Sequence, residues 1–219
     1  MSTEHLISLS IPTLTPEDTG THALDLMDEH KITELPVVSN DAYLALIKES
    51  DLMDWNTPGN ALSTAPFLNY KPAIPASAHP FEVVRIMSQL ELNVLPVVGD
   101  EQKYLGCVTK DTLLKHTAEY TGINNPGGII VLEVAPRNYT LYEIARICEN
   151  EDVSIVNVQV YTTEDGMLEV TLKLNRTGLS AVVSSFERHS YVVQAVYGEE
   201  QNREDITNKY NLLMNYINM

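Results

Sequence analysis

The sequence is short of the groups that most catalysis and most polyanion binding require. It holds two cysteines, Cys107 and Cys148. Two isolated thiols form neither a zinc knuckle nor a disulfide framework, and a reducing compartment is the expected setting. Cations are scarce: 14 Lys and Arg stand against 30 Asp and Glu, a formal net charge of −16. That balance excludes a chain built to grip the phosphate backbone of a nucleic acid, which needs a positive surface. Apolar runs such as Gly127 to Leu132 fall far short of the roughly 20 residues of a membrane helix. The start, Met1 to His5, has no positive n-region, and no apolar h-region follows, so a cytoplasmic location without membrane contact is expected. Catalytic signatures are missing too. No H-E-x-x-H, G-x-S-x-G or P-loop glycine string occurs. His5, His22, His30, His79, His116 and His189 fall at no metal-ligand spacing. The carboxylates sit on helix faces and turns, as a solvated surface would place them. No catalytic residue, metal or required cofactor is expected.

What is present is a repeat. The chain of 219 residues is 44% hydrophobic and 20% charged, the composition of globular domains, and its length allows one large domain or two small ones. Leu35-Pro36-Val37-Val38 recurs as Leu95-Pro96-Val97-Val98, an offset of 60. The same shift lays Pro12 on Pro72, Leu24 on Val84, Met27 on Met87 and Ile32 on Leu92. One extra residue in the second copy then makes the offset 61, bringing Tyr43 onto Tyr104, Ile47 onto Val108 and Leu52 onto Leu113. Two copies are too few for a solenoid, so a pseudo-two-fold pair with a shared core is expected.

Each copy reads alike. Asp18-Thr19-Gly20 and His79-Pro80 punctuate a helix start, with Pro80 suited to the first helical position. Apolar residues follow at helical spacing: Ala23, Leu24 and Met27, then Val83, Val84, Met87 and Leu90. The proline next in line, Pro36 or Pro96, disfavours helix before it. A short strand is expected to begin at Val37 or Val97. A polar turn, a second strand (Tyr43 to Ile47 or Tyr104 to Val108) and another helix complete the unit.

This pattern resembles a pair of cystathionine-β-synthase (CBS) domains, the Bateman module, over residues 5 to about 120. In that family a helix precedes L-P-V-V, and the second strand leads into G-x-x-[ST]-x-x-D-L. The resemblance implies two β-α-β-β-α type repeats packed as one globule, with two clefts where adenosine-containing ligands sit: AMP, ADP, ATP or S-adenosylmethionine. The motif's hydroxyl and carboxylate hold ribose and phosphate in family members. The first copy keeps Asp51, with Lys48 in the hydroxyl's place and Ala45 in the glycine's. The second keeps Gly106 and Thr109, with Thr112 where the acid belongs and Asp111 one position early. A helix turns about 100° per residue, so Asp111 points elsewhere. The candidate ligand-binding residues are Gly106, Val108, Thr109 and Asp111 in the second copy, and Lys48 and Asp51 in the first. A hydroxyl three residues before an acid at a helix start is also a capping box, and both readings stand. Family members often carry an arginine just before L-P-V-V; Thr33-Glu34 and Asn93-Val94 stand there instead.

Charge divides unevenly. Residues 1–60 hold eleven acidic and two basic side chains, Lys31 and Lys48, a net of −9. Residues 61–124 hold six acidic and five basic. Phosphate needs opposite charge to offset its desolvation, so a nucleotide is expected to prefer the cleft around Thr109.

The texture changes after Thr121. Gly122 to Gly128 is a breaker-rich linker. The order that follows is βαββαβ: a strand over 129–134, a helix opened by Thr140 with Glu143 as a capping box, strands over 154–161 and 167–174 around a Thr163–Gly166 turn, a helix over 177–189, and a last strand over 192–197. That is the ferredoxin-like split βαβ order. It resembles an ACT-type domain, whose family binds amino acids or dimerises, although the turn Pro136 to Tyr139 lacks the glycine of its ligand-binding members. Cys148 falls on the core face of its helix. In the tail, Ile206, Tyr210, Leu213 and Ile217 form one apolar stripe of a helix, for packing on its own domain or on a partner.

The expected organisation is α+β: a CBS-domain pair over 1–121 (repeats about 5–55 and 64–120), a linker over 122–128, an ACT-like domain over 129–198 and a tail helix over 199–219. A CBS pair followed by an ACT-like domain is similar to the bacterial acetoin-utilisation regulatory proteins. Two functional readings follow. One is a non-catalytic sensor that binds an adenine nucleotide and signals through a homodimer. The other is a constitutive interaction or assembly subunit, with non-binding clefts, that docks a protein partner.

Overall fold

The two L-P-V-V segments each become the central strand of a small sheet. The structure, a computed structural model, describes residues 2–198, and the chain divides between Thr117 and Ala118 into two units. The first unit runs α1 (Gly20–His30), β1 (Glu34–Ser39), β2 (Ala42–Lys48), α2 (Glu49–Met53), β3 (Ile74–Pro75), α3 (Pro80–Gln89), β4 (Val94–Val98), β5 (Tyr104–Thr109) and α4 (Lys110–Tyr120). The Thr19 hydroxyl caps α1 by accepting the His22 N–H at 3.2 Å. His79 caps α3 through Nδ1, with Pro80 at its first position.

The repeat is visible in the hydrogen bonding. β1 pairs antiparallel with β2 and β4 with β5, with a bulge between Val37 and Val38 in one pair and between Val97 and Val98 in the other. On the opposite side of the central strand, Leu14 pairs parallel with Val37, as Ile74 pairs with Val97. Both strands begin three residues earlier than expected, at Glu34 and Val94, and include their prolines. Pro36 is tolerated because its missing donor faces the side where only Leu14 pairs: Leu14 N–H donates to the Pro36 carbonyl at 2.8 Å and Val38 N–H to the Leu14 carbonyl at 2.7 Å.

Residues that the repeat offset maps onto each other also touch, which marks the pseudo-two-fold axis. Ala42 bridges to Lys103. The rings of Tyr43 and Tyr104 stack with centroids 6.5 Å apart. Thr33 and Asn93 hydrogen-bond at 2.6 Å. Around the axis, Leu35, Val37 and Ile47 are buried with Ala23 and Met27 of α1, and Leu95, Val97 and Val108 with Val83 and Met87 of α3. The Cys107 thiol is buried 3.2 Å from the Tyr104 hydroxyl, and burial pushes its pKa up to about 12, so it is inert at neutral pH.

The first residues cover the second repeat. Ser8 and Cys107 exchange both backbone hydrogen bonds, at 2.8 and 3.1 Å, and Thr3 donates to the Ala78 carbonyl. Tyr70 serves the first repeat in the same way, its carbonyl accepting from the Leu46 N–H at 2.8 Å.

The second unit contains β6 (Ile129–Val134), α5 (Leu141–Asn150), β7 (Ile155–Thr162), β8 (Leu168–Leu174), α6 (Ser180–Arg188) and β9 (Val192–Tyr197). Its strands form one antiparallel sheet in the order β7-β8-β6-β9. β6 alternates half-buried and buried residues, the period of a sheet with one face on a core. Ile130, Leu132, Val170 and Leu172 meet Ile144, Ile147, Cys148, Val182 and Phe186 of the two helices. Burial pushes the Cys148 thiol up to about 11. Two details differ from expectation. Helix α6 starts at Ser180 rather than Thr177, because Gly178 holds a left-handed φ of 75°. Thr140 precedes α5 without a side-chain capping bond. Glu143 is drawn instead toward the Tyr191 hydroxyl at 3.5 Å and Arg146 at 3.8 Å, a tertiary contact replacing the local one.

The apolar stripe Ile206, Tyr210, Leu213 and Ile217 lies outside the described residues. Among the described residues no helix is long and apolar enough to cross a membrane.

Candidate ligand cleft

The start of α4 faces a cavity of about 690 Å³ at the seam between the two repeats, within the range of small-molecule sites. Thr109 stands at its edge as the residue before the helix. Its hydroxyl accepts the Thr112 N–H at 3.1 Å and lies 3.0 Å from the Thr112 hydroxyl. The capping function of Thr109 is therefore realised, with Thr112 as the third-position partner.

Four other segments close the cavity. Ser8, Ser10 and Ile11 come from the N-terminal segment that pairs with β5. His30 and Lys31 come from the end of α1, where Lys31 adopts a left-handed φ of 55°. Thr33 precedes β1, and Asn93 and Val94 stand at the start of β4. Thr33 and Asn93 are tied across the pseudo-axis by Glu34, which is only 4% exposed. It accepts from the Thr33 hydroxyl at 2.9 Å, from the Asn93 N–H at 3.3 Å and from the Asn93 side-chain amide at 3.4 Å. A buried carboxylate is tolerable when donors converge on it, and here they fix Thr33 and Asn93 beside the cavity.

The lining is more positive than its surroundings. Lys31 and Lys110 line it with His30, and Asp111 is the one carboxylate among the lining residues. Lys31 is 2.8 Å from Asp28. The hydrogen bond from Lys31, and then its charge, hold the Asp28 carboxyl below the usual range. Lys110 has no ion-pair partner among the described residues.

The predicted site residues separate. Thr109 and Asp111 line the cavity. Val108 is fully buried in the core of the second repeat. Gly106 lies under the N-terminal segment, where a Cβ would come within 2.5 Å of Ile7. Lys48 and Asp51 belong to the pseudo-equivalent position, where the Lys48 ammonium sits 4.9 Å from the centre of the Tyr70 ring. The cavity around Thr109 is not lined by either.

The sequence profile of the CBS domain family matches residues 4–56 and 67–119. The N-terminal unit is a tandem CBS-domain pair. An inosine-5'-monophosphate dehydrogenase of Korarchaeum cryptofilum is 20% identical over 196 residues, which are 88% of this chain and 40% of that enzyme. The chain thus spans less than half the length of that curated relative. Among the solved structures similar to part of this chain are two CBS-pair proteins. The CBS domain pair/ACT domain protein of Thermotoga maritima has a TM-score of 0.48 at 16% identity, covering 54% of this chain and 98% of that one. The CBS-pair protein CBSX2 of Arabidopsis thaliana, solved in complex with AMP, has a TM-score of 0.47 at 20% identity, covering 54% and 96%.

Sequence reasoning missed Ser8, Ser10, His30, Lys31, Asn93 and Lys110 in this CBS pair. Lys110 adjoins the motif and was readable as a cation at the helix start. The others reach the cavity only because the repeats pack about the pseudo-axis. Replacing Thr109 with valine is expected to remove the α4 cap and cost about 1 kcal/mol, while serine retains it; chemical denaturation of the two variants distinguishes them.

A second cavity of about 500 Å³ lies in the other unit, at the turn Pro136–Tyr139 and the start of β9. Tyr191 contributes a hydroxyl whose pKa is raised by burial and then by the neighbouring Glu143 charge.

Proposed function

We propose that this chain is a non-catalytic regulatory protein whose CBS pair binds an adenine nucleotide in the cleft around Thr109 and signals through a homodimer. The observation that carries the reading is the cavity itself. It lies at the seam of two CBS repeats, opens beside Thr109, and gathers Lys31, Lys110 and His30 in a chain of net charge −16. Family resemblance supplies the ligand class, and the cationic lining agrees with it. Ligand at a seam contacts both repeats at once, so its binding energy favours one mutual arrangement of them.

The homodimer reading is supported by a pair of exposed apolar side chains that the repeat offset relates. Met53 on α2 is 69% exposed and Leu114 on α4 is 71% exposed. Symmetry-related apolar positions suit an isologous contact with a second copy. The βαββαβ order and the strand order of the second unit support a ferredoxin-like, ACT-type regulatory domain. Together the two units support a relation to the acetoin-utilisation regulators.

Thermal-shift and calorimetric titration with AMP, ADP, ATP and S-adenosylmethionine test the reading, with light scattering for the dimer. A saturable shift with at least one of the four is expected. Silence from all four would remove the sensor and leave the assembly-subunit reading.

A further inference from the structure

The two repeats are alike in backbone, yet two pairs of equivalent positions beside their clefts carry opposite charges. Lys110 N–H donates to the Asn93 carbonyl at 2.9 Å, and Glu49 N–H donates to the Thr33 carbonyl at the same distance. Those bonds place Glu49 in the first repeat where Lys110 stands in the second. Lys31 and Glu91 are likewise equivalent: each has a left-handed φ of 55° just after its helix. The next residues, Ile32 and Leu92, donate to Met27 and Met87 at 3.0 and 2.9 Å. The pseudo-axis therefore converts the cations Lys31 and Lys110 of one cleft into the carboxylates Glu91 and Glu49 of the other.

The hydroxyls are exchanged as well. Thr109 corresponds to Lys48 under the repeat offset. Ser8 and Tyr70 correspond because their carbonyls accept from the equivalent amides of Cys107 and Leu46. In the second cleft Thr109 and Ser8 both line the cavity. In the first, the equivalent residues Lys48 and Tyr70 meet each other, the ammonium 4.9 Å from the ring centre, a contact attractive in its own right.

From this we infer that each chain takes one ligand, bearing phosphate, in the Thr109 cleft, and that Lys31 and Lys110 select it by its negative charge. The inference rests on the nucleotide reading above and sharpens it. Affinity rises with phosphate number, from AMP to ATP, and falls away for adenosine and for cationic S-adenosylmethionine. A lysine that meets a phosphate directly contributes roughly a tenfold change in affinity.

The test is calorimetric titration of the full chain, without divalent metal, with ATP, adenosine and inorganic tripolyphosphate. It compares the native chain with Lys31→Glu/Lys110→Glu and with Glu49→Gln/Glu91→Gln. One ATP per native chain is expected, weakened about a hundredfold by the double lysine variant and left within about twofold by the double glutamate variant. Lys31, Glu91 and Lys110 are exposed and Glu49 is half-buried, so unchanged melting of the variants without ligand separates binding from folding. Two ATP per chain, adenosine binding as tightly as ATP, or ATP binding indifferent to Lys31→Glu/Lys110→Glu would each overturn the inference while leaving nucleotide sensing intact. Tripolyphosphate binding once per chain and lost in the lysine variant, with no added affinity for ATP, would uphold the inference and overturn the adenine reading. Silence from ATP and tripolyphosphate alike would overturn both.

Discussion

Alanine at Gly106 is expected to destabilise the CBS pair by about 3 kcal/mol and to weaken ligand binding as well. Gly106 has φ +132°, a conformation that side chains rarely adopt. Its added Cβ would stand 2.5 Å from the Ile7 Cγ2 and 2.9 Å from the Ser8 carbonyl oxygen. Ile7 can turn aside, but Ser8 is held by both backbone bonds to Cys107. The N-terminal segment must lift, and with it go Ser8 and Ser10 from the cleft wall. Stability and affinity should therefore fall together. Denaturant melts with a parallel ATP titration measure both; a variant that loses stability yet binds ATP as before would show that the segment is no part of the site.

The largest single-site loss is expected at Gly127, where alanine should cost about 4 kcal/mol. Here φ is +138°, and the Cβ would fall 2.0 Å from the Leu174 carbonyl oxygen, a backbone atom with little freedom. Leu174 N–H donates to the Gly128 carbonyl at 2.9 Å, and Gly128 N–H to the Arg176 carbonyl at the same distance. Moving Leu174 thus disturbs the start of β6 and the end of β8 together. Alanine at Gly166, which has φ +82° and open space around its Cβ, is the control for backbone strain alone. If the two variants melt alike, the close approach at Gly127 contributes nothing.

These two glycines show what a single sequence reveals and what it hides. Gly106 reads as part of a ligand motif and Gly127 as part of a breaker-rich linker. Both instead mark a close backbone approach by a segment distant in sequence, about 100 residues in one case and nearly 50 in the other. Local patterns carried most of the architecture, because each has a local cause. The doubled L-P-V-V gave the pseudo-axis, helical spacing gave α1 and α3, and alternation gave the sheet of the second unit. The cleft was only half legible. Thr109 and Asp111 could be read from the motif they sit in. His30, Lys31 and Ser8 could not, because nothing near them in the chain announces that α1 and the N-terminal segment end beside α4. The same limit explains Thr140 and Glu143: the capping-box spacing is there, but Tyr191 lies 48 residues on and takes the carboxylate.

Segmental charge alone does not describe the clefts. The acidic excess of the first 60 residues suggested which cleft an anion would avoid. The packing crosses that division: Lys31, from the acidic segment, lines the cavity beside Thr109, and Glu91, from the near-neutral one, is its equivalent in the other repeat.

Hydrogen exchange with and without saturating ATP tests the central claim most directly, because it locates the ligand without any substitution. Protection is expected in residues 8–11, 30–33, 93–94 and 109–112, the segments that line the cavity, with residues 48–51 and the second unit's turn at 136–140 unchanged. Protection centred on 48–51 instead, or no protection in any of the four segments while ATP is bound, would contradict the assignment of the Thr109 cleft.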